Sequence, residues 1–165
     1  MRKPLYLICA AALILASQPA SGQLAAPAQQ RTPVAAPGAA ACTGLISQEN
    51  GAKFAQIPDA PTAINSARII PAGGTHGPAD DDLPEICRIE GYIGPNVGFL
   101  LRMPTKTWNG KFMMGGCGGP CGNYLEDRID AALVRNYAVV TTDMGHKGNG
   151  WLWAYNNPQG QIDFA

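Results

Sequence analysis

The glycine-dense stretch from Trp108 to Gly122 is the feature that most constrains what this chain can fold into. It holds five glycines between positions 115 and 122, directly after the strand-like residues Lys111 to Met114. Because glycine costs backbone entropy on folding, such a cluster indicates positive φ angles or a close approach of the backbone to another group. The residues that follow, Tyr124 to Asn136, have helical spacing.

A strand, a glycine loop and a helix in this order direct backbone N–H groups toward an anion or a developing oxyanion. The alternative is a glycine turn that only reverses the chain direction. The stretch contains neither a nucleophile nor a phosphate-binding lysine, so the pattern alone leaves both interpretations open.

The N-terminus predicts export. Arg2 and Lys3 precede an apolar run from Leu5 to Ala16, and small residues follow up to Gly22, which predicts a cleaved signal peptide over residues 1–22. The apolar run is too short for a membrane anchor. The 165 residues carry 12 basic and 12 acidic side chains, so their balance indicates neither nucleic acid nor a membrane surface as a partner. We therefore expect a secreted or periplasmic protein.

The predicted mature chain divides into two parts. Residues 23–41 are almost entirely Ala, Pro, Gln and Gly, which predicts an extended linker with nothing to bury. Residues 42–165 are enough for one small domain.

Four cysteines follow the predicted signal peptide, and an even set in an exported protein predicts disulfides. Three connectivities are possible. We favour a bridge from Cys42 to Cys87, which closes a long loop, and one from Cys117 to Cys121, which clamps the glycine loop. A zinc site is disfavoured because Cys42 and Cys87 lack neighbouring metal-ligating partners.

Alternating apolar residues predict strands at Thr62 to Pro71 and Ile86 to Ile93. The apolar run from Val97 to Met103 predicts a third strand, which forms an antiparallel hairpin with the second. Tyr137 to Thr142 has the composition of a strand buried on both faces. The strand at Lys111, the helix and this strand fit a right-handed βαβ crossover. The predicted fold class is α/β, with antiparallel strands leading into a parallel unit.

Asp143, Gly145 and His146 form a corner where the last strand ends, at the edge where open sheets collect functional groups. A histidine near an aspartate is a candidate catalytic base. However, Asp143 and His146 are only three positions apart, and no serine of the chain stands in a Gly-x-Ser-x-Gly elbow. We therefore favour a hydrogen-bonded, structural histidine that fixes the loop.

Two further segments have weaker interpretations. The loop from Gly73 to Asp82 contains His76 and three consecutive aspartates, but it lacks the ligand spacing of a calcium loop, so we interpret it as a solvated acidic turn. Trp151, Trp153 and Tyr155 form an aromatic run that is either packing or a substrate wall.

Several short motifs occur in order along the second half of the chain. They are Leu-Pro-Glu-Ile-Cys at 83–87, Phe-Leu-Leu-Arg-Met-Pro at 99–104, Trp-Asn-Gly-Lys-Phe at 108–112, the glycine loop at 115–122 and Thr-Asp-x-Gly-His at 142–146. This combination resembles the tannase and feruloyl esterase family of secreted α/β-hydrolases. The similarity runs from about Cys42 to the C-terminus and is strongest from Phe99 on.

The resemblance implies a serine carboxylic-ester hydrolase that acts on small esters of phenolic or aromatic acids. Gly118 matches the family's oxyanion-hole glycine, whose N–H stabilises the tetrahedral intermediate, and the first family disulfide maps onto Cys42 and Cys87. The remaining residues of the implied oxyanion loop are Gly115, Gly116, Cys117 and Gly119.

The chain also departs from the family pattern. The resemblance places the nucleophilic serine in a Cys-Ser-x-Gly-Gly elbow beyond the corner, with the triad Asp and His later and a calcium-containing lid domain between them. None of these occurs in the 165 residues, so we expect an inactive N-terminal segment of such an enzyme, with no cofactor of its own. The alternative is a secreted, non-catalytic binding module that uses Trp151, Trp153 and Tyr155.

Overall fold

A computed structural model of the chain describes residues 35–73 and 82–164. The predicted signal peptide, most of the predicted linker, His76 and two of the three consecutive aspartates lie outside these residues. No helix in the described ranges is both long enough and apolar enough to cross a bilayer.

Five strands and four helices make up the described fold. The strands form one mixed sheet in the order β1-β2-β3-β5-β4. Two 3-10 segments, Glu126–Ile129 and Leu152–Ala154, precede the third and fourth helices. The elements are α1 (Gly38–Gly44), α2 (Gln48–Ala55), β1 (Thr62–Ile70), β2 (Ile86–Ile93), β3 (Val97–Pro104), β4 (Phe112–Gly115), α3 (Asp130–Val134), β5 (Ala138–Thr142) and α4 (Pro158–Phe164).

The strand pairing includes the predicted antiparallel hairpin and one parallel pair of strands. Strands β2 and β3 form the predicted antiparallel hairpin, with Ile86 opposite Pro104 and Ile93 opposite Val97. Strand β5 pairs antiparallel with β3 and parallel with β4. The sheet is therefore antiparallel at one side and parallel at the other, and the helical segment from 126 to 134 connects the two parallel strands.

Apolar side chains are buried in two clusters. One cluster packs strand residues Ile86 and Val139 against Ile129 and Leu133 of the connecting helical segment. Leu133 is fully buried, so the predicted apolar face of this segment does line the core. The second cluster joins α1 to β1 and β2, and it consists of Cys42, Ala67, Cys87 and Ile89.

The N-terminal part of the described chain is more helical than expected. The predicted extended linker reached Ala41, but α1 already begins at Gly38. The buried Cys42 is bonded to Cys87 in β2, and this bond holds the turn of helix that carries it against the sheet. Helix α2 was not predicted, although Ser47 caps it by accepting a hydrogen bond from the N–H of Asn50.

The connecting helical segment is shorter than the predicted range of Tyr124 to Asn136. It begins with the 3-10 segment at Glu126, because Gly122 is still paired with another part of the backbone, and it ends before Asn136, whose φ is 64°. Arg102 in β3 anchors its start. The Arg102 side chain is 1% exposed, donates to the Glu126 carbonyl oxygen at 2.7 Å and lies 2.6 Å from Asp130 Oδ1.

Candidate functional site

The glycine loop and the Asp143 corner meet at one edge of the sheet. Strands β4 and β5 run parallel, with Gly115 opposite Thr141, so the segments that follow Gly115 and Thr142 leave the sheet on the same side. This edge is where open α/β sheets position ligands. The structure therefore brings together the two segments that the sequence analysis singled out.

Backbone pairing closes the base of the loop. Gly122 N–H donates to the Gly148 carbonyl at 2.7 Å, and Gly148 N–H donates back to the Gly122 carbonyl at 3.2 Å. A Cβ atom at position 122 would lie 2.6 Å from Cδ2 of His146. Only glycine allows this close approach, so the loop and the corner are held together at this point.

The Cys117–Cys121 disulfide closes the tip of the loop, with 5.7 Å between the two Cα atoms. Inside it, Gly119 has a φ of 64°, in the left-handed region that glycine adopts without strain. Both predicted disulfides are present, since Cys42 and Cys87 are also bonded.

Gly118 lies between the two cysteines and is exposed. A Cβ atom at this position would meet no heavy atom within 4 Å, which is also true of Gly116. In residues 35–73 and 82–164, no carbonyl or side-chain acceptor receives a hydrogen bond from the N–H of Gly118. The amide is therefore free to bind an acceptor from a ligand.

Asp143 is 2% exposed, and its carboxylate is fully engaged. Oδ1 accepts hydrogen bonds from the N–H groups of Gly98, at 2.8 Å, and Gly145, at 3.1 Å. Oδ2 pairs with Lys147 Nζ. The carboxylate thus fixes the corner to the start of β3, and it does not contact the ring of His146 as a catalytic aspartate would.

His146 has both ring nitrogens next to backbone carbonyls. Nδ1 lies 3.2 Å from the Met144 oxygen, and Nε2 lies 3.1 Å from the Pro120 oxygen in the glycine loop. No serine of the described ranges faces this ring: Ser47 caps α2, and Ser66 lies in β1. The geometry fits the structural role that we favoured from the sequence.

Lys147 and Tyr124 are functional-site neighbours that the sequence analysis missed. The Lys147 ammonium lies 4.8 Å from the centre of the Tyr124 ring. Burial lowers the pKa of Lys147, but its hydrogen bond and charge interaction with Asp143 outweigh burial and raise that pKa above the ordinary 10.5. Burial raises the pKa of Tyr124 above 10.0, and Asp143 adds to this rise, although Lys147 opposes it. Both groups line a cavity of about 460 Å³ beside the corner.

The aromatic run divides into inward and outward residues. Trp153 stacks on His146, with ring centroids 4.2 Å apart, and contacts Phe164 at 4.9 Å. Trp151 and Tyr155 are exposed at 62% and 84%. Trp153 therefore supports the corner, which does not favour a binding surface shared by all three side chains.

No group of three or more His, Cys, Asp or Glu side chains in the described part of the chain is arranged to hold a metal ion. These residues therefore do not form the calcium site that the family resemblance places in a lid domain.

Residues 84–165 match the family model described as "Tannase and feruloyl esterase". An uncharacterized esterase from Xanthomonas campestris is 33% identical over 113 residues, which are 63% of this chain and 20% of that protein. Mono(2-hydroxyethyl) terephthalate hydrolase from Piscinibacter sakaiensis is 38% identical over 80 residues, which are 39% of this chain and 13% of that protein. The chain thus spans a fifth or less of the length of these relatives.

Two crystal structures share the fold. An esterase from Aspergillus oryzae superposes with a TM-score of 0.58 at 21% identity, covering 74% of this chain and 25% of that one. Feruloyl esterase B from the same organism gives a TM-score of 0.55 at 24% identity, covering 67% and 24%. The mixed sheet with its helices is therefore α/β-hydrolase-like. Because residues 84–165 match its family model, this part of the chain belongs to the tannase and feruloyl esterase family.

Proposed function

We propose that this chain supplies the oxyanion-binding part of a carboxylic-ester hydrolase, with Gly118 as a backbone donor. One observation carries the proposal: the Gly118 N–H has no acceptor in the described part of the chain, in a loop closed by a disulfide at its tip and by backbone pairing at its base. An N–H group that is held in place without a partner stabilises negative charge with little reorganisation.

The charge arises when a nucleophile adds to the ester carbonyl carbon and the carbonyl oxygen becomes an oxyanion. The Gly118 N–H donates to that oxygen, and one such donor contributes about 3 kcal/mol to stabilisation of the transition state. The family resemblance implies a nucleophilic serine in a Cys-Ser-x-Gly-Gly elbow with Asp and His partners, and we propose that these groups lie outside the 165 residues, which contain no such elbow.

The proposed substrates are small esters of phenolic or aromatic acids. The family name and the name of the terephthalate ester hydrolase support this class. Export to the periplasm or the medium is part of the proposal, and it is supported by the signal-like residues 1–22 and by two disulfides, which form in oxidising compartments.

The test compares two variants of the intact gene product with methyl ferulate or a gallate ester as substrate. Gly118→Pro removes the N–H, whereas Gly118→Ala keeps it and adds a methyl group where no heavy atom lies within 4 Å. We expect kcat to fall about 100-fold for the proline variant and less than about tenfold for the alanine variant. Equal kcat values for both variants would refute the role of Gly118.

Two controls accompany this comparison. Non-reducing peptide mapping of both variants must recover the Cys117–Cys121 bridge, because loss of the loop would lower kcat for another reason. The 165-residue chain alone is expected to hydrolyse neither ester, and turnover by it would contradict our assignment of the serine to another part of the enzyme. Sequencing the gene beyond codon 165 tests the same assignment, because it should reveal the Cys-Ser-x-Gly-Gly elbow.

A further inference from the structure

The imidazole of His146 connects two segments that are distant in sequence. Its Nε2 contacts the carbonyl of Pro120, 26 positions earlier, while its Nδ1 contacts the carbonyl of Met144 in its own turn. Pro120 lies two residues after Gly118 and inside the Cys117–Cys121 loop. Of the two contacts, only the one at Nε2 reaches the proposed oxyanion loop.

The ring is held on several sides. One face stacks on Trp153 at an interplanar angle of 17°, and Phe164 lies at 5.7 Å in a tilted arrangement. Its Cδ2 edge lies against Gly122, where there is no room even for a Cβ atom. His146 is 9% exposed. A rotation of the ring would therefore have to displace Trp153 or the paired backbone at the base of the loop.

The two contacts compete for one proton in a neutral ring. A neutral imidazole carries a single N–H, and a carbonyl oxygen only accepts, so one of the two nitrogens faces its carbonyl without a hydrogen bond. The position of the proton thus decides whether His146 bonds to its own turn or to the glycine loop.

We propose that His146 is a positioning residue for the oxyanion loop, with its proton on Nε2 and donated to the Pro120 carbonyl. Bonding of that carbonyl fixes the peptide plane between Pro120 and Cys121, and through the short disulfide-closed loop it fixes the orientation of the Gly118 amide. The inference rests on the proposed function for the role of the loop, but the hydrogen bond itself is independent of it.

Three substitutions separate the proton donor from the packing. His146→Gln places an amide N–H near the position of Nε2, and His146→Asn places one near Nδ1. His146→Phe keeps an aromatic ring on Trp153 but has no donor. If His146 only filled space, the phenylalanine variant would resemble the wild type more closely than the glutamine variant.

The experiment uses the full 165-residue chain, labelled with ¹⁵N. In the wild type, long-range ¹H–¹⁵N spectra are expected to show the proton on Nε2 of His146. The backbone order parameter of Gly118 is expected to be near 0.85 in the wild type and in His146→Gln, and below about 0.6 in His146→Asn and His146→Phe.

Either of two results would overturn the inference: an Nε2 that carries no proton in the wild type, or wild-type order at Gly118 in both His146→Asn and His146→Phe. The first measurement needs no variant, so it decides the question even if a substitution prevents folding. Failure of the proposed function is a separate outcome. An unchanged kcat in Gly118→Pro would reject Gly118 as the oxyanion donor, but it would not contradict the hydrogen bond from His146 to Pro120.

Discussion

The two disulfides differ in what they stabilise: one stabilises the overall fold, and the other stabilises the shape of the glycine loop. Cys42 and Cys87 are each 2% exposed, are 45 positions apart and join α1 to β2 inside an apolar cluster. Cys117 and Cys121 are four positions apart and enclose three residues of an otherwise open loop. Because the entropy removed from the unfolded chain grows with loop length, the first bridge acts mainly on global stability. The second gives a short loop its shape, at a place where few side chains could do so.

The largest expected effect tests the long-range bridge. Replacing Cys42 and Cys87 together by alanine should lower the free energy of unfolding by about 4 kcal/mol, as the chain-entropy treatment gives for a loop of this length. Urea unfolding with a fitted m-value measures this change. A loss below about 1 kcal/mol would show that α1 is held by its apolar contacts alone.

The second prediction concerns the buried ion pairs that hold the connecting helical segment against the sheet. Arg102→Met leaves the buried carboxylate of Asp130 without its cation, whereas Glu126 still pairs with Arg88 at 2.9 Å, and we expect a loss of about 3 kcal/mol. The control is Lys53→Met, which breaks an exposed pair with Glu49 and should change stability by less than about 0.5 kcal/mol. Equal losses in the two variants would contradict the structural distinction between these pairs.

A smaller loss is expected for the local bridge. Replacing Cys117 and Cys121 by alanine should lower the free energy of unfolding by about 2 kcal/mol, roughly half the effect of the other pair, because the closed loop is short. The same urea experiment gives the ratio. An effect as large as that of the long-range bridge would mean that the loop is a central element of the fold.

The smallest effect concerns alkaline pH at the corner. The pKa of Lys147 is raised in the folded state, so its contribution is complete below pH 10.5 and is lost as pH rises through the higher folded pKa. The stability difference between wild type and Lys147→Met should therefore be constant from pH 7 to about pH 9 and shrink above about pH 10.5. It should stay below about 1 kcal/mol throughout, because the lysine side chain is 72% exposed. A stability difference that grows above about pH 10.5 would mean that the pKa of Lys147 is lowered, not raised, in the folded state.

The strands were predictable from local patterns, and the cysteine count predicted two bridges. Alternating apolar residues located β1 and β2, an apolar run located β3, and glycines located the end of β4. The even number of cysteines predicted two bridges but left three connectivities open, and the two observed bonds confirm the pairing that we favoured. These features depend on residues that are adjacent in the sequence or on the presence of cysteines, and both can be read from the sequence.

Features that depend on tertiary contact were not predictable. Nothing in the sequence shows that Arg102, which lies in an apolar strand, would be buried against the connecting helical segment. Trp153 gave no indication that it would pack on His146 while Trp151 remained exposed. Helix α2 is a different case: Ser47 at its N-cap and the Glu49–Lys53 spacing were visible, but Gly51 and the absence of an apolar face concealed them.

The donor proposed at Gly118 belongs to the main chain, so apart from proline, which removes the N–H, no change of side chain acts on it directly. Evolution and protein engineering can tune such a group only through its surroundings, by altering the residues that hold the loop against the sheet edge. Variation in catalytic strength among related enzymes should therefore map to Pro120, His146 and Trp153, while the glycine itself stays the same.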